Sequence, residues 1–162
     1  MYKTVVFDLD GTLLNTLTDL ADAGNRLCRK YGWPTHERQA YRYFVGNGIP
    51  KLVERLAPAD QRTPAVLEAA LADFKRDYGQ HLRDTTAPYP GIPEMLAKLK
   101  ANGVQLAVFS NKADALAKEV VKDYFGTQYF TIVRGQMTGV APKPAAEGTN
   151  ALLQALHADP AS

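Results

Sequence analysis

Near the start of the chain stands Val5-Val6-Phe7-Asp8-Leu9-Asp10-Gly11-Thr12-Leu13-Leu14, a short apolar run that leads into two carboxylates and a Gly-Thr turn. Residues two apart point to the same side of a β-strand, so Asp8 and Asp10 are predicted to share one face. They would project from the carboxyl end of that strand, where open α/β sheets bind ligands. Paired carboxylates offer oxygen ligands to a hard cation, and one of them could attack phosphorus. A strand followed by an Asx turn is the alternative that needs no function.

The composition is that of an ordinary globular protein. The 162 residues are 46% hydrophobic and 22% charged, which suits one domain or a small core with a modest insertion. The formal net charge is only +2 and no basic run occurs, so nucleic acid and anionic membranes are not expected as partners. The lone cysteine, Cys28, is predicted to be a core residue. With no signal-peptide pattern and no apolar run of membrane-spanning length, we expect a cytoplasmic protein.

After the first strand, the apolar spacing becomes that of four consecutive amphipathic helices with no strand between them. Thr16 and Asp19 resemble a capping box at the start of the first helix, and Thr63 with Pro64 caps the fourth. An antiparallel bundle is the simplest way to bury four apolar faces. The predicted helices cover about residues 16–31, 37–45, 49–56 and 64–78.

Beyond a Pro-containing linker at 83–91, helices and strands alternate. This alternation predicts a parallel sheet, giving an α/β fold with a Rossmann-like three-layer core that is interrupted after its first strand by the helical insert. The predicted core comprises residues 1–14 and 86–162, and the insert comprises 15–85. Helices are predicted at 93–102, 113–124 and 145–157, and strands at 104–109 and 130–133.

Two later motifs carry further polar groups. In Val108-Phe109-Ser110-Asn111-Lys112, a hydroxyl at the end of a β-run and at the start of a helix could donate to a phosphate oxygen, or could simply cap the helix. Lys112 is as compatible with a solvated surface position as with a functional one. In Ala141-Pro142-Lys143-Pro144, the two proline rings restrict the lysine, whose ammonium could then neutralise a carboxylate and a phosphoryl group. An exposed lysine in a proline-rich loop is the alternative.

Taken in this order, the three motifs resemble those of the haloacid dehalogenase superfamily, in the DxDGT form of its helical-cap (C1-type) phosphatases. The resemblance implies that Asp8 attacks phosphorus and forms an aspartyl-phosphate. It implies that Asp10 protonates the leaving alcohol and then activates water. Mg²⁺ would be held by the Asp8 side chain and the Asp10 backbone carbonyl. The implied substrate is a small phosphorylated metabolite.

The same resemblance implies the substrate ligands. Ser110 would bind the phosphoryl group with the Asn111 backbone as a second donor, and Lys143 would neutralise charge there. Gly11 and Thr12 would shape a turn whose backbone N–H groups face the phosphate. Gly46-Asn47-Gly48 is similar to the substrate-facing loop of phosphoglycolate phosphatases in this superfamily, which makes Asn47 a candidate specificity residue.

One motif of the family has no counterpart here. The family's acidic fourth motif, which completes the metal site, matches neither Glu147 nor Asp159. We therefore expect the chain to cover only part of the family domain and its sheet to lack a strand. Three interpretations stay open: a phosphomonoester hydrolase of the phosphoglycolate phosphatase type, a truncated and weakly active or inactive binding module, and a phosphosugar mutase. The sequence does not predict the oligomeric state.

Overall fold

The structure is a computed structural model that describes Tyr2–Asp159. Its contacts divide the chain into an α/β unit, formed by residues up to Leu14 and from Pro88 onward, and a helical unit, Asn15–Ala87. The strands of the described residues are β1 (Thr4–Phe7), β2 (Leu14–Asn15), β3 (Ala87–Pro88), β4 (Gln105–Ala113) and β5 (Ile132–Gln136). Their α-helices are α1 (Leu17–Tyr31), α2 (Tyr41–Phe44), α3 (Ile49–Leu56), α4 (Pro64–His81), α5 (Ile92–Ala101), α6 (Asp114–Phe125) and α7 (Ala146–Ala155).

The α/β unit is built on a parallel three-stranded sheet in the order β1-β4-β5. Its central strand, β4, is almost wholly buried, as expected of a strand covered on both faces. Leu152 of α7 and Leu156, the residue after that helix, pack with Ala107 and Phe109 of β4. The predicted α/β class with a parallel sheet is confirmed.

The end of β4 differs from the prediction. The strand was expected to end at Phe109, but it continues to Ala113; α6 begins at Asp114, one residue after the start predicted for that helix. Pairing with β5 becomes irregular after Phe109 and resumes where Ala113 faces Gln136. Ser110 therefore lies inside the strand, so its predicted position at the opening of a helix was wrong.

The helical unit contains the four predicted helical regions, with one large change of extent. Helix α1 packs on α4, and both also contact α3. The second predicted helix, 37–45, is a 3₁₀ turn at Arg38–Ala40 followed by the single turn of α2. Helix α4 begins as predicted, because the Thr63 hydroxyl accepts a hydrogen bond from the Val66 N–H at 3.4 Å. Thr16, in contrast, makes no side-chain cap at α1, so the predicted capping box was wrong.

Asp19 has a different role from the predicted capping one. Asp19 is 2% exposed, and its carboxylate accepts hydrogen bonds from the segment that leads out of the helical unit. The Thr85 N–H donates at 2.9 Å and the Thr86 N–H at 2.9 Å, and their hydroxyls donate at 2.5 and 2.7 Å. Four donors on one buried carboxylate fix residues 85–86 against α1.

Two smaller predictions concern Cys28 and membrane segments. Cys28 is fully buried in α1, as predicted for a core residue, and burial raises the pKa of its thiol to about 11. Within residues 2–159, none of the helices combines the length and the apolar character that crossing a bilayer requires.

Candidate active site

The first motif forms a tight turn at the carboxyl end of β1. Asp8 follows the last strand residue directly, and its Oδ1 accepts the Leu9 N–H at 2.7 Å. The Leu9 carbonyl accepts the N–H groups of Leu13 and Leu14, both at 3.0 Å. Gly11 adopts φ +79°, a conformation that side chains disfavour, and this allows the chain to wind around Leu9.

Two backbone N–H groups of this turn bond within the turn. Gly11 N–H donates to the Leu14 carbonyl at 2.8 Å, and Thr12 N–H donates to the Leu9 carbonyl at 3.3 Å. These two donors serve the turn itself, and the prediction that N–H groups of the turn face a phosphate stays a prediction. The Thr12 side chain is exposed, and its role as a substrate ligand stays a prediction.

Lys143 lies against the first motif. Its Nζ is 3.1 Å from Asp8 Oδ1 and donates to the Phe109 carbonyl at 2.6 Å. The side chains of Lys143 and Asp8 are 25% and 45% exposed, so the pair is open to solvent and to a ligand. The ammonium thus joins the residue that follows β1 to the middle of β4.

Asn111 fixes the loop that carries Lys143. The Lys143 N–H donates to Asn111 Oδ1 at 2.8 Å, and Asn111 Nδ2 donates to the Lys143 carbonyl at 3.2 Å. This side chain therefore holds both backbone polar groups of the lysine. Sequence reasoning considered only the Asn111 backbone, and no local pattern links two residues 32 positions apart.

Lys112 is a buried partner of the second aspartate. Its Nζ donates to both carboxylate oxygens of Asp10, at 2.9 and 3.0 Å. The Lys112 side chain is 3% exposed and that of Asp10 is 21% exposed, so the surface alternative for Lys112 was wrong. Ser110, also buried, accepts the Lys112 N–H on its Oγ at 3.1 Å, and a hydroxyl that accepts one bond can still donate its hydrogen.

These contacts place two carboxylates and two ammonium groups at the carboxyl ends of β1 and β4, each aspartate with its own lysine. The formal charges of the four groups cancel. A phosphate dianion entering together with a divalent cation would leave that balance unchanged. The arrangement can therefore accept a charged phosphate ester without a large electrostatic cost.

The oxygen donors of this site suit Mg²⁺. The Asp8 carboxylate and the Asp10 carbonyl are hard ligands, and Mg²⁺ commonly takes one or two protein ligands while waters and phosphate oxygens complete its shell. Within the described part of the chain, no group of three acidic, histidine or cysteine side chains could hold a metal ion. The Asp8 carboxylate and the Asp10 carbonyl therefore fit Mg²⁺ by their chemistry, but only as part of its ligand set.

Asn47 belongs to the helical unit and lies in the loop between α2 and α3. Its Oδ1 accepts from Arg55 Nη2 at 2.9 Å, and the same guanidinium donates to the carbonyls of Phe44 at 2.8 Å and Tyr43 at 3.2 Å. Arg55, which sequence reasoning did not select, therefore holds the shape of this loop. Asn47 itself is exposed.

Comparison with known proteins identifies the family. Residues 5–162 match the model of the haloacid dehalogenase-like hydrolases. The chain belongs to this family. The haloacid dehalogenase-like hydrolases related to it include the phosphoglycolate phosphatase of Thiobacillus denitrificans, which is 33% identical over 145 residues, covering 88% of this chain and 64% of that protein. The phosphoglycolate phosphatase of Neisseria meningitidis is 34% identical over 146 residues, covering 88% and 62% respectively.

Solved structures of haloacid dehalogenase-like proteins have the same fold as this chain. A protein from Lactobacillus delbrueckii, provisionally named a phosphoglycolate phosphatase, superposes with a TM-score of 0.89 at 27% identity, covering 98% of this chain and 74% of that one. A haloacid dehalogenase-like hydrolase from Bacteroides fragilis has the same TM-score at 18% identity, which shows the fold alone. The chain spans less than two-thirds of the length of the two curated phosphatases above.

Proposed function

We propose that this protein is a Mg²⁺-dependent phosphomonoester hydrolase that acts through an aspartyl-phosphate on Asp8. The observation that carries the proposal is the pairing of each motif aspartate with a lysine, Asp8 with Lys143 at 3.1 Å and Asp10 with Lys112 at 2.9 Å. A nucleophilic carboxylate must approach an anionic phosphoryl group, and the neighbouring ammonium reduces the repulsion.

The proposed reaction has two steps. Asp10 first takes up a proton from solvent. A carboxylate oxygen of Asp8 then attacks phosphorus, the bond from phosphorus to the leaving oxygen breaks, and Asp10 gives its proton to that oxygen. Asp10, now a carboxylate, then takes a proton from water as the water oxygen attacks the phosphorus of the aspartyl-phosphate. The bond to Asp8 breaks and inorganic phosphate leaves. Mg²⁺ held by Asp8 and the Asp10 carbonyl would supply positive charge to the phosphoryl oxygens.

The remaining side chains bind the phosphoryl group in this proposal. Ser110 donates its hydroxyl hydrogen to a phosphoryl oxygen, and Lys143 balances the charge of Asp8 before attack. Asn111 acts through Lys143, whose backbone it holds at 2.8 and 3.2 Å. Thr12, at the exposed side of the turn, is a further candidate ligand.

For the substrate, we propose 2-phosphoglycolate or a similar small phosphate ester. The curated relatives reported above carry the name phosphoglycolate phosphatase, which supports this choice. The helical unit would act as the family's cap, with Asn47 presented by the loop that Arg55 holds. The proposed location is the cytoplasm.

The test is Mg²⁺-dependent phosphate release from 2-phosphoglycolate and from an aryl phosphate. Asp8→Asn should lower the rate at least about 10³-fold, because an amide is a poor nucleophile and the intermediate cannot form. Asp60→Asn, which changes an exposed carboxylate in the helical unit, should release phosphate at the same rate as the unchanged protein.

Either of two results would contradict the proposal. Release that persists in Asp8→Asn would exclude the aspartyl-phosphate. Absence of release from the folded, unchanged chain would favour a binding module, and isomerisation of a phosphosugar without net phosphate release would favour a mutase.

A further inference from the structure

Lys112 is unusual among the lysines of this chain because its ammonium is buried. Withdrawing an ammonium group from water is costly unless an opposite charge compensates for it. Here the ammonium donates to both oxygens of one carboxylate, Asp10, 102 residues earlier in the sequence. The chelating arrangement restrains the carboxylate in two directions, which one hydrogen bond would not do.

The backbone from which Lys112 extends is itself fixed. The Lys112 N–H is bonded to Ser110 Oγ at 3.1 Å, and the Lys112 carbonyl packs directly against Gly135 of β5. Gly135 N–H in turn donates to Asp114 Oδ1 at 2.9 Å, which ties β5 to the first residue of α6. The ammonium therefore starts from a rigid position in the central strand of the sheet.

From this geometry we propose that Lys112 is a positioning residue for Asp10 that holds the carboxylate in the orientation from which it exchanges protons with the leaving group and with water. Lys112 does not contact the phosphoryl group in this proposal; it acts through Asp10. Lys143 and Lys112 thus have separate roles, because the first serves the nucleophile and the second serves the acid-base residue. The inference rests on the proposed function of Asp10.

If the Lys112–Asp10 ion pair had only a structural role, the expected effect of removing Lys112 would differ from the effect that this proposal predicts. If Lys112 only stabilises the sheet, its loss lowers the fraction of folded protein and reduces the rates of all substrates equally. If Lys112 orients Asp10, its loss affects most the substrates whose leaving oxygen needs a proton. An alkoxide such as that of glycolate needs protonation, whereas p-nitrophenolate leaves without it.

The experiment compares Lys112→Met with Lys118→Met in single-turnover reactions. Lys118 is a matched control, because it also forms an ion pair, with Asp114 at 2.7 Å, but its side chain is 57% exposed. In Lys112→Met we expect glycolate release from 2-phosphoglycolate to slow about 100-fold or more, and the p-nitrophenolate burst to slow by less than about tenfold. Turnover after the burst should also slow, since Asp10 activates water. Lys118→Met should change none of these rates.

Equal fractional losses for the two substrates, or no loss, would overturn the inference and leave the proposed function standing. A second measurement does not depend on turnover. In metal-free protein, the ¹⁵N-labelled Lys112 ammonium should exchange slowly with water and give its own resonance, which Asp10→Ala should abolish. Exchange as fast as that of Lys118 would refute the pairing. A chain that shows the pairing but has no turnover refutes the proposed function, and with it the role of Lys112 in proton transfer.

Discussion

Three consecutive residues of β4 have three different partners. Ser110 bonds the backbone of its own strand, Asn111 holds the backbone of Lys143, and Lys112 chelates Asp10. Successive side chains in a strand alternate between faces, and the irregular pairing beyond Phe109 further changes their directions. The short segment 110–112 thereby contacts both the first motif and the loop of the third.

Gly135 is the residue whose size this arrangement restricts most. A Cβ there would lie 2.5 Å from Asp114 Cα and 2.8 Å from Asp114 N, and would also meet the Lys112 carbonyl. Because these neighbours are backbone atoms, they cannot rotate away. We predict that Gly135→Ala lowers the free energy of unfolding by about 1–3 kcal/mol and displaces Lys112, which reduces turnover.

Urea denaturation and the rate of phosphate release measure the two effects. Gly79→Ala is the matched control, since a Cβ at this helical position meets no atom within 4 Å. It should be neutral or stabilising by about 0.5–1 kcal/mol. Equal stability of the two variants would show that the structure can absorb a methyl group at Gly135.

The aspartate pair, Ser110 and Lys143 could be selected as candidate site residues from the sequence, because each lies in a short motif whose chemistry is local. The sequence was insufficient for Lys112, whose partner is 102 residues away. One signal was available: a strand that continued past Phe109 would place Lys112 on the same face as Ser110, two residues earlier. The premature end predicted for β4 removed that signal.

At the level of secondary-structure elements, the start of α4 depends on a local interaction, whereas the start of α1 depends on residues far along the chain. Thr63 caps α4 as predicted, since the interaction spans three residues. The Thr16–Asp19 pattern is equally local, but Asp19 is drawn to four donors on Thr85 and Thr86. A buried carboxylate satisfied by several N–H and O–H groups is more stable than one that makes a single cap bond, and the sequence pattern does not reveal such distant donors.

Asp19→Asn therefore tests how strongly the segment 85–86 is attached to α1. The amide places an NH₂ group where one carboxylate oxygen accepts hydrogen bonds, so the backbone N–H bonded there loses an acceptor, and the remaining bonds lose the help of the negative charge. We expect the free energy of unfolding to fall by about 2–4 kcal/mol, measured by urea denaturation. Asp22→Asn, on the exposed side of the same helix, should change it by less than about 0.5 kcal/mol. A similar small change for Asp19→Asn would show that the segment needs no anchor.

At the scale of the whole molecule, acid stability should depend on Asp73. Hydrogen bonds from the Lys30 ammonium at 2.6 Å and then from the Tyr31 hydroxyl at 2.8 Å lower the pKa of this carboxyl to about 2. A carboxyl whose pKa is lower in the folded protein stabilises the fold above its ordinary pKa and loses that contribution as the pH falls. The contribution should be complete near pH 5 and should disappear between about pH 4 and pH 2.

Denaturant midpoints of the unchanged protein and of Asp73→Asn, measured across this pH range, test the prediction. The difference between the two should be constant above pH 5 and should shrink towards zero near pH 2. The denaturant midpoint of Asp60→Asn, which changes an exposed carboxylate, should differ from that of the unchanged protein by the same amount at every pH in this range. A difference that stays constant down to pH 2 would mean that Asp73 is not paired in solution.

The helical unit enters and leaves the α/β unit through two short strands, β2 and β3, that pair with each other. The two junctions are therefore adjacent, and excising the insert would leave a gap that a tight turn of a few residues could bridge. The aspartates and lysines of the site all lie outside the excised segment. A gene with this layout is modular: recombination at two neighbouring points could exchange one insert for another while the reaction chemistry is inherited intact.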